Sequence, residues 1–286
     1  MRHRDFPGSV NDMEIEKVTT VCFSPTGTTK AVTGAIARGI DAGPVEIIDI
    51  TRPDARTKRL QVTGQDLLIV GVPVYLGRIP ALAAEWLRTL DAHDTPTVCV
   101  VVYGNRAYED ALVELQDLLT AQGCRPAAGA ACIGEHSFST AETPTAQGRP
   151  DATDLAAAEA FGKQVREKLS SHSSPGAIPG MSFPGIRPYR QETCHPYRKG
   201  TPFWNVDFIA VGEACTQCGR CAGGCPVGAI DPKNSRAIDT EHCITCCACI
   251  RNCPEHARTI KAGIVRDASL RVSTLNKDRK EPEWFL

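Results

Sequence analysis

Nine of the fourteen cysteines in this 286-residue chain crowd between Cys215 and Cys253. Cys215, Cys218, Cys221, Cys225 and Pro226 recur as Cys243, Cys246, Cys249, Cys253 and Pro254, every one shifted by 28 residues. Five matches at one offset make an internal repeat. Each half reads C-x2-C-x2-C-x3-C-P. Three thiolates at intervals of three lie on a tight loop and can converge on three corners of an iron–sulfur cube, while the fourth, held before a helix-breaking proline, points away from that loop. Zinc is the competing reading, because paired C-x2-C knuckles also build zinc ribbons. It leaves the third cysteine, the fourth cysteine and the proline of each half unexplained. Cys247 lies outside the repeat and reads as a spare thiol.

A second chemistry sits near the N-terminus. Ser24-Pro25-Thr26-Gly27-Thr28-Thr29-Lys30 follows an apolar run and leads into a helical pattern. Hydroxyls and backbone N–H groups at a helix N-terminus form an anion site, with Gly27 allowing close approach. The segment is not a Walker A loop, and the chain has no G-x-G-x-x-G. A Ser/Thr-rich loop without a lysine clamp suits a flavin monophosphate better than a nucleoside triphosphate. Two further loops fit: Pro73-Val74-Tyr75-Leu76-Gly77-Arg78-Ile79-Pro80 and Tyr103-Gly104-Asn105-Arg106-Ala107-Tyr108. Tyr75 or Tyr108 can stack on an isoalloxazine, and Asn105 can reach its pyrimidine edge. Arg78 and Arg106 either stabilise an anionic reduced flavin or point to solvent or pair with carboxylates. His136, in Gly134-Glu135-His136-Ser137-Phe138, either donates to reduced flavin or substrate or is structural.

The elements that position these loops are legible as apolar runs at Val18–Phe23, Val45–Ile50, Asp66–Val72, Thr97–Tyr103 and Ala127–Ile133. Continuous apolarity is what a parallel sheet covered on both faces requires. Between the runs stand helical stripes: Val32, Ile36 and Ile40; Leu82, Trp86 and Leu90; Leu112, Leu115 and Leu119; and Leu155, Ala158, Val165 and Leu169, with Asp151 and Asp154 as caps. Strands alternating with helices predict a doubly wound α/β domain with a five-stranded parallel sheet in the order 2-1-3-4-5, whose ligand lies outside the C-terminal strand ends. Cys22, Cys99 and Cys132 fall inside predicted strands as small buried hydrophobes. The expected organisation is a tail over 1–16, the α/β domain over 17–171, a solvated linker over 172–204 containing Cys194-His195, a cysteine-rich α+β domain over 205–262 and a second tail over 263–286.

The segment Asn205–Lys261 closely resembles bacterial two-cluster ferredoxins, down to Val227-Gly228-Ala229-Ile230 after the first Cys-Pro. The second half departs from it, placing charge at Glu255-His256-Ala257-Arg258. The resemblance implies crossed ligation. Cys215, Cys218, Cys221 and Cys253 would hold one [4Fe–4S] cluster, and Cys243, Cys246, Cys249 and Cys225 the second. The S-P-T-G-T-T and Y-G-N-R motifs resemble flavodoxin. The two halves together are similar to the flavodoxin–ferredoxin fusion family of anaerobes, the EFR-type ferredoxins, which implies FMN on the three loops.

A formal charge of −1 offers no basic surplus for nucleic acid. No apolar run approaches the roughly eighteen residues of a membrane span, and the N-terminus has no apolar stretch of a secretory signal, so a cytoplasmic location is expected. The expected function is electron transfer between two [4Fe–4S] clusters and FMN, coupling one- and two-electron carriers, with redox proteins as partners and no acid–base catalytic residue. The alternatives are an FMN-dependent reductase of a small organic acceptor such as a quinone or nitro compound, and a module that docks on one larger enzyme through the charged tail Lys277–Glu283.

Overall fold

The structure is a computed structural model and describes Met13, residues 15–189, Thr201 and residues 203–286. Cys194 and His195 lie outside the described residues. Strands β1 (Lys17–Cys22), β2 (Val45–Asp49), β4 (Asp66–Pro73), β6 (Thr95–Tyr103) and β7 (Cys124–Ile133) pair in parallel in the order β2-β1-β4-β6-β7. This is the predicted 2-1-3-4-5 arrangement, that of the flavodoxin-like doubly wound sheets. The connection between β2 and β4 contains a 3-10 turn at Pro53–Thr57 and β3 (Gln61–Val62), which pairs with β5 (Asp91–Ala92).

Helices α2 (Ala81–Leu87) and α3 (Ala111–Ala121) cover one face of the sheet, burying Leu87, Leu112 and Leu115 against Val70, Val72 and Val101. Helices α1 (Thr28–Ile40) and α4 (Ala152–Ser170) cover the other, with Ile36, Ile40, Phe161 and Val165 against Leu67, Ile69 and Val100. β1, β4, β6 and β7 thus alternate their side chains between two buried faces, which explains their unbroken apolar runs, whereas the edge strand β2 leaves Val45 and Ile47 exposed. The α1 and α4 backbones touch: a Cβ on Gly162 would lie 2.2 Å from the Ile36 carbonyl oxygen. The expected caps form a reciprocal box, Asp151 accepting from the Asp154 N–H and Asp154 from the Asp151 N–H, both at 2.9 Å.

The cysteine-rich half carries β8 (Ile209–Val211) antiparallel to β9 (Arg258–Ile260), and two one-turn helices, α5 (Arg220–Gly223) and α6 (Ala248–Arg251). Its repeat is written in the backbone as well. Positive φ at Gln217, Gly219 and Gly228 recurs at Thr245, Cys247 and His256, again 28 residues on. Cys247 stands where the first half has Gly219, buried at the start of α6 with φ 58°.

Among the described residues, parts of both expected tails and of the expected linker are packed. Met13 is buried and donates its N–H to the His172 carbonyl. Beyond α4, Ile178 and Phe183 are buried, and Arg187 forks onto Asp117 at 2.7 and 2.6 Å. Apolar residues spaced irregularly among Pro and Gly hide such packing from periodicity. The C-terminal residues leave the cysteine-rich half through α7 (Ile264–Leu275) and return to the α/β domain as β10 (Glu283–Phe285), antiparallel to the outer edge of β7. The sheet therefore has six strands. Trp284 stacks on Phe161 with ring centroids 4.7 Å apart. Within Lys277–Glu283, the segment one alternative reading offered as a docking contact, Arg279 pairs with Asp151 at 2.8 Å and Lys280 donates to the Arg106 carbonyl, while Lys277 and Asp278 are exposed.

This return strand leads to a prediction. Trp284→Ala removes the stacked ring and loosens β10, so the chain is expected to lose about 2 kcal/mol of stability, less than a fully buried Trp→Ala change because the ring is partly exposed. Denaturant unfolding of the intact chain measures it.

Candidate functional site

At the C-terminal ends of β1, β4, β6 and β7 a cleft of about 680 Å³ opens. This is where a doubly wound sheet binds its ligand. Its floor is the loop that enters α1. Gly27, at φ 88°, turns the chain into the helix. Thr26, Thr28 and Thr29 line the cleft, and the buried Thr29 Oγ1 has no hydrogen-bond partner. A hydroxyl without a partner at a helix N-terminus is a donor held for an anion. Ser24 serves the loop itself, its Oγ accepting from the Lys30 N–H at 3.0 Å. Lys30 reaches Asp49 at 3.2 Å, so no lysine clamps the cleft from this loop.

After β4 the chain makes a two-residue hairpin turn. Leu76 and Gly77 both have positive φ, and Tyr75 and Arg78 exchange backbone hydrogen bonds of 2.9 and 3.1 Å. The turn presents Pro73, Val74, Tyr75 and Leu76 to the cleft and turns Arg78 away. Arg78 is buried and forks onto Glu114, both bonds 2.7 Å. Arg106 pairs with Glu109 at 2.5 Å. Both guanidiniums thus take carboxylate partners, the second of the two readings the sequence left open.

The loop after β6 contributes Tyr103 and Gly104. Gly104 has to be small, since a Cβ there would lie 2.3 Å from the His136 ring. Asn105 and Tyr108 are used differently from expectation. Asn105 donates its side-chain N–H groups to the Asn276 and Asp278 carbonyls, each at 2.9 Å, and the Tyr108 hydroxyl donates to Glu283 at 2.8 Å. Both anchor the returning C-terminal segment. Of the expected site residues, Ser24, Gly27, Gly77, Arg78, Asn105, Arg106 and Tyr108 are not among those that line the cleft.

The fourth wall was missed in part. Besides His136 it includes Gly134, Glu135, Ser137 and Phe138. Phe138 Nα–H donates to His136 Nδ1 at 3.0 Å, which leaves the proton of the neutral ring on Nε2. Burial, with Arg106 and Arg251 nearby, holds the imidazole pKa down to about 4. Phe203 and Thr245 complete the wall from the other half of the chain. No spacing in the sequence points to them, because docking of one half on the other places them there.

Each set of four cysteines implied by crossed ligation lines its own cavity. Cys225, Cys243, Cys246 and Cys249 share one with Cys247 and with Phe208, Ile209, Val227, Ile230, Ile238 and Ile244. Cys215, Cys218, Cys221 and Cys253 share the other with Gln217, Arg220, Ser235, Glu255 and Arg258. The fourth cysteines are held alike: Cys225 Sγ accepts from the Ala229 N–H and Cys253 Sγ from the Ala257 N–H, each at 3.3 Å. Amide donors aimed at sulfur suit a thiolate ligand. The first cavity lies inward, with Cys246 and Cys249 buried, and Thr245, between Ile244 and Cys246, faces the cleft. The second lies outward, with Cys218 exposed. The strand cysteines Cys22, Cys99 and Cys132 line neither cavity, and burial pushes the Cys22 thiol up to about 12.

The family model of a 4Fe-4S dicluster domain matches residues 208–254. An uncharacterized ferredoxin of Methanocaldococcus jannaschii is 38% identical over 61 residues, 20% of this chain and 79% of that protein. NADH-quinone oxidoreductase subunit I 2 of Symbiobacterium thermophilum is 30% identical over 79 residues, 23% of this chain. The match spans 33% of that subunit's length. Among solved structures, a flavodoxin from the domain Archaea aligns at a TM-score of 0.36 and 16% identity, covering 55% of this chain and 99% of that one. With its cysteine repeat, its paired cavities and this family match, the chain belongs to the two-cluster [4Fe–4S] ferredoxins, here joined to a flavodoxin-like α/β domain.

Proposed function

We propose that this chain is an electron-transfer iron–sulfur flavoprotein, with FMN in the cleft and the two clusters held by the crossed cysteine sets. The observation that carries the reading is the position of Thr245. It lies within the inner cysteine loop, between Ile244 and Cys246, and it also walls the cleft that contains Thr29, Tyr75 and His136. One loop therefore borders both cofactor sites. FMN exchanges one or two electrons and clusters one at a time, so a chain holding both can couple carriers of different stoichiometry.

The residues divide the work. Thr26, Thr28 and Thr29, with the first amides of α1, hold the phosphate. Tyr75, Tyr103, Phe138 and Phe203 enclose the ring system in apolar surface. Neutral His136 offers Nε2–H as a hydrogen-bond donor within the cleft. Cys243, Cys246, Cys249 and Cys225 hold the inner cluster beside Thr245, and Cys215, Cys218, Cys221 and Cys253 hold the outer one, where Cys218 meets solvent. A redox protein would dock at that outer end. Among the described residues no helix is long and apolar enough to cross a membrane.

Two measurements test the reading. Anaerobic purification is expected to yield about eight iron and about one FMN per chain, with the visible and EPR spectra of two cubane clusters; zinc in place of iron, or absence of flavin, overturns it. Thr29→Val keeps the shape and removes the unpartnered hydroxyl, so FMN binding to flavin-stripped protein should weaken roughly ten- to hundredfold, the worth of one hydrogen bond to a charged group. Fluorescence titration reads the change.

His136 adds a pH dependence. The unfolded ring takes its proton near 6.5 and the folded one only near 4. The unfolded state therefore binds more protons across that window, and stability falls as pH drops through it, by at most about 1.4 kcal/mol per pH unit. His136→Gln should flatten the decline in melting temperature between pH 7 and 5.5.

A further inference from the structure

The two halves of the cysteine repeat superpose in sequence and in backbone φ, but not in charge. Ile230 and Arg258 stand at equivalent places, 28 residues apart, and each is 3% exposed. Ile230 lines the inner cavity, whose other non-cysteine walls are Phe, Ile, Val, Ala and Pro. Arg258 lines the outer one. A buried arginine normally finds a carboxylate or enough carbonyls to satisfy its five donors. Arg258 does not. Its Nη2 donates to the Ser235 carbonyl, and its Nη1 is buried without a partner. The Ser235 hydroxyl, on the wall of the same cavity, is also buried without a partner. Two polar groups that lack partners, one a full positive charge, thus meet in the cavity that four cysteines surround.

We infer that Arg258 is a potential-setting residue: it holds the outer cluster, bound by Cys215, Cys218, Cys221 and Cys253, at a higher reduction potential than the inner one. The inference rests on the two-cluster reading above. Reduction adds one electron, and so one negative charge, to a cluster. A fixed cation in a low-dielectric wall stabilises that added charge, and an N–H donated to cluster sulfur acts in the same direction. The inner cavity offers Ile230 instead and gives no such stabilisation. Arg258 lines the outer cavity and not the inner one, although its charge also reaches Cys249. Glu255 opposes it from the same cavity as an exposed carboxylate, where water screens its charge. A single electron on the ferredoxin half therefore rests mainly at its solvent-facing end.

An anaerobic redox titration of the intact, iron-loaded protein, followed by EPR, tests this. The wild type should reduce in two resolved steps. Arg258→Met keeps an unbranched stem and removes the charge. It is expected to move the higher step to more negative potential and to change the partition of the first electron at least about tenfold, 59 mV for a one-electron couple. Arg258→Lys should retain most of the wild-type separation. Arg258→Met protein with full iron content and an unchanged separation overturns the inference, as does an equal shift of both steps. If Arg258→Met fails to hold iron, Ile230→Arg decides the question with the native arginine in place. A cation moved into the inner cavity must raise the lower step and narrow the gap, and an unmoved lower step overturns the inference. A wild type without eight iron would instead break the two-cluster reading itself.

Discussion

Arg251 joins the two halves of the molecule at the point where they must not drift apart. It closes α6, the helix that carries Cys249, and its Nη2 reaches Glu135 at 2.6 Å, the Ser139 carbonyl at 3.2 Å and the His136 carbonyl at 3.3 Å. A half-buried guanidinium with an ionised acceptor and two carbonyls loses little of its hydration without compensation. The loop it grips walls the cleft at the strand ends, and the helix it closes borders the inner cysteine cavity. Around this contact the remaining joints fall into place. Arg56 donates to the Pro226 carbonyl at 2.6 Å, and the Ser269 hydroxyl donates to the Phe138 carbonyl at 2.6 Å. Ile244, Cys246 and Ala248 continue the apolar core of the α/β domain. Electron exchange depends on short separations, and these contacts make the separation a property of a packed interface rather than of a tether.

The electrostatics of the cleft follow from the same economy of charge. Glu114 accepts from Arg78 and from the Ile79 N–H at 3.1 Å, so one buried carboxylate fixes both the arginine and the turn that offers Tyr75. Removing either partner would leave a charge buried alone, which is costly. The arginine so close to the cleft is therefore a brace for the hairpin. What remains facing the cleft is hydroxyl, aromatic and neutral imidazole, with Glu135 at its edge already engaged by Arg251.

Much of this was legible in the chain because the relevant signals are local. Five apolar runs, the Asp151–Asp154 cap, the S-P-T-G-T-T loop and the cysteine repeat each declare themselves within a few residues. What escaped was set by distant partners. Arg78 lies 36 residues from Glu114 and Phe203 far from Phe138, so neither pairing leaves a period in the sequence. Asn105 and Tyr108 have the right types for a flavin loop, yet both bond to the C-terminal segment, whose packing no propensity reveals. Glu283-Trp284-Phe285 is too short and too charged in its surroundings to read as a strand. It becomes one because β7 presents an unpaired edge.

That last strand also sets the order of assembly. The ribosome releases β7 well before β10, so the edge of the first sheet stays open while the whole ferredoxin half is being made. Domains tend to fold as units in the order of synthesis. Here β7 gains its second neighbour from β10, which follows the cysteine-rich half in the chain, so one sheet is built from residues made before and after that half.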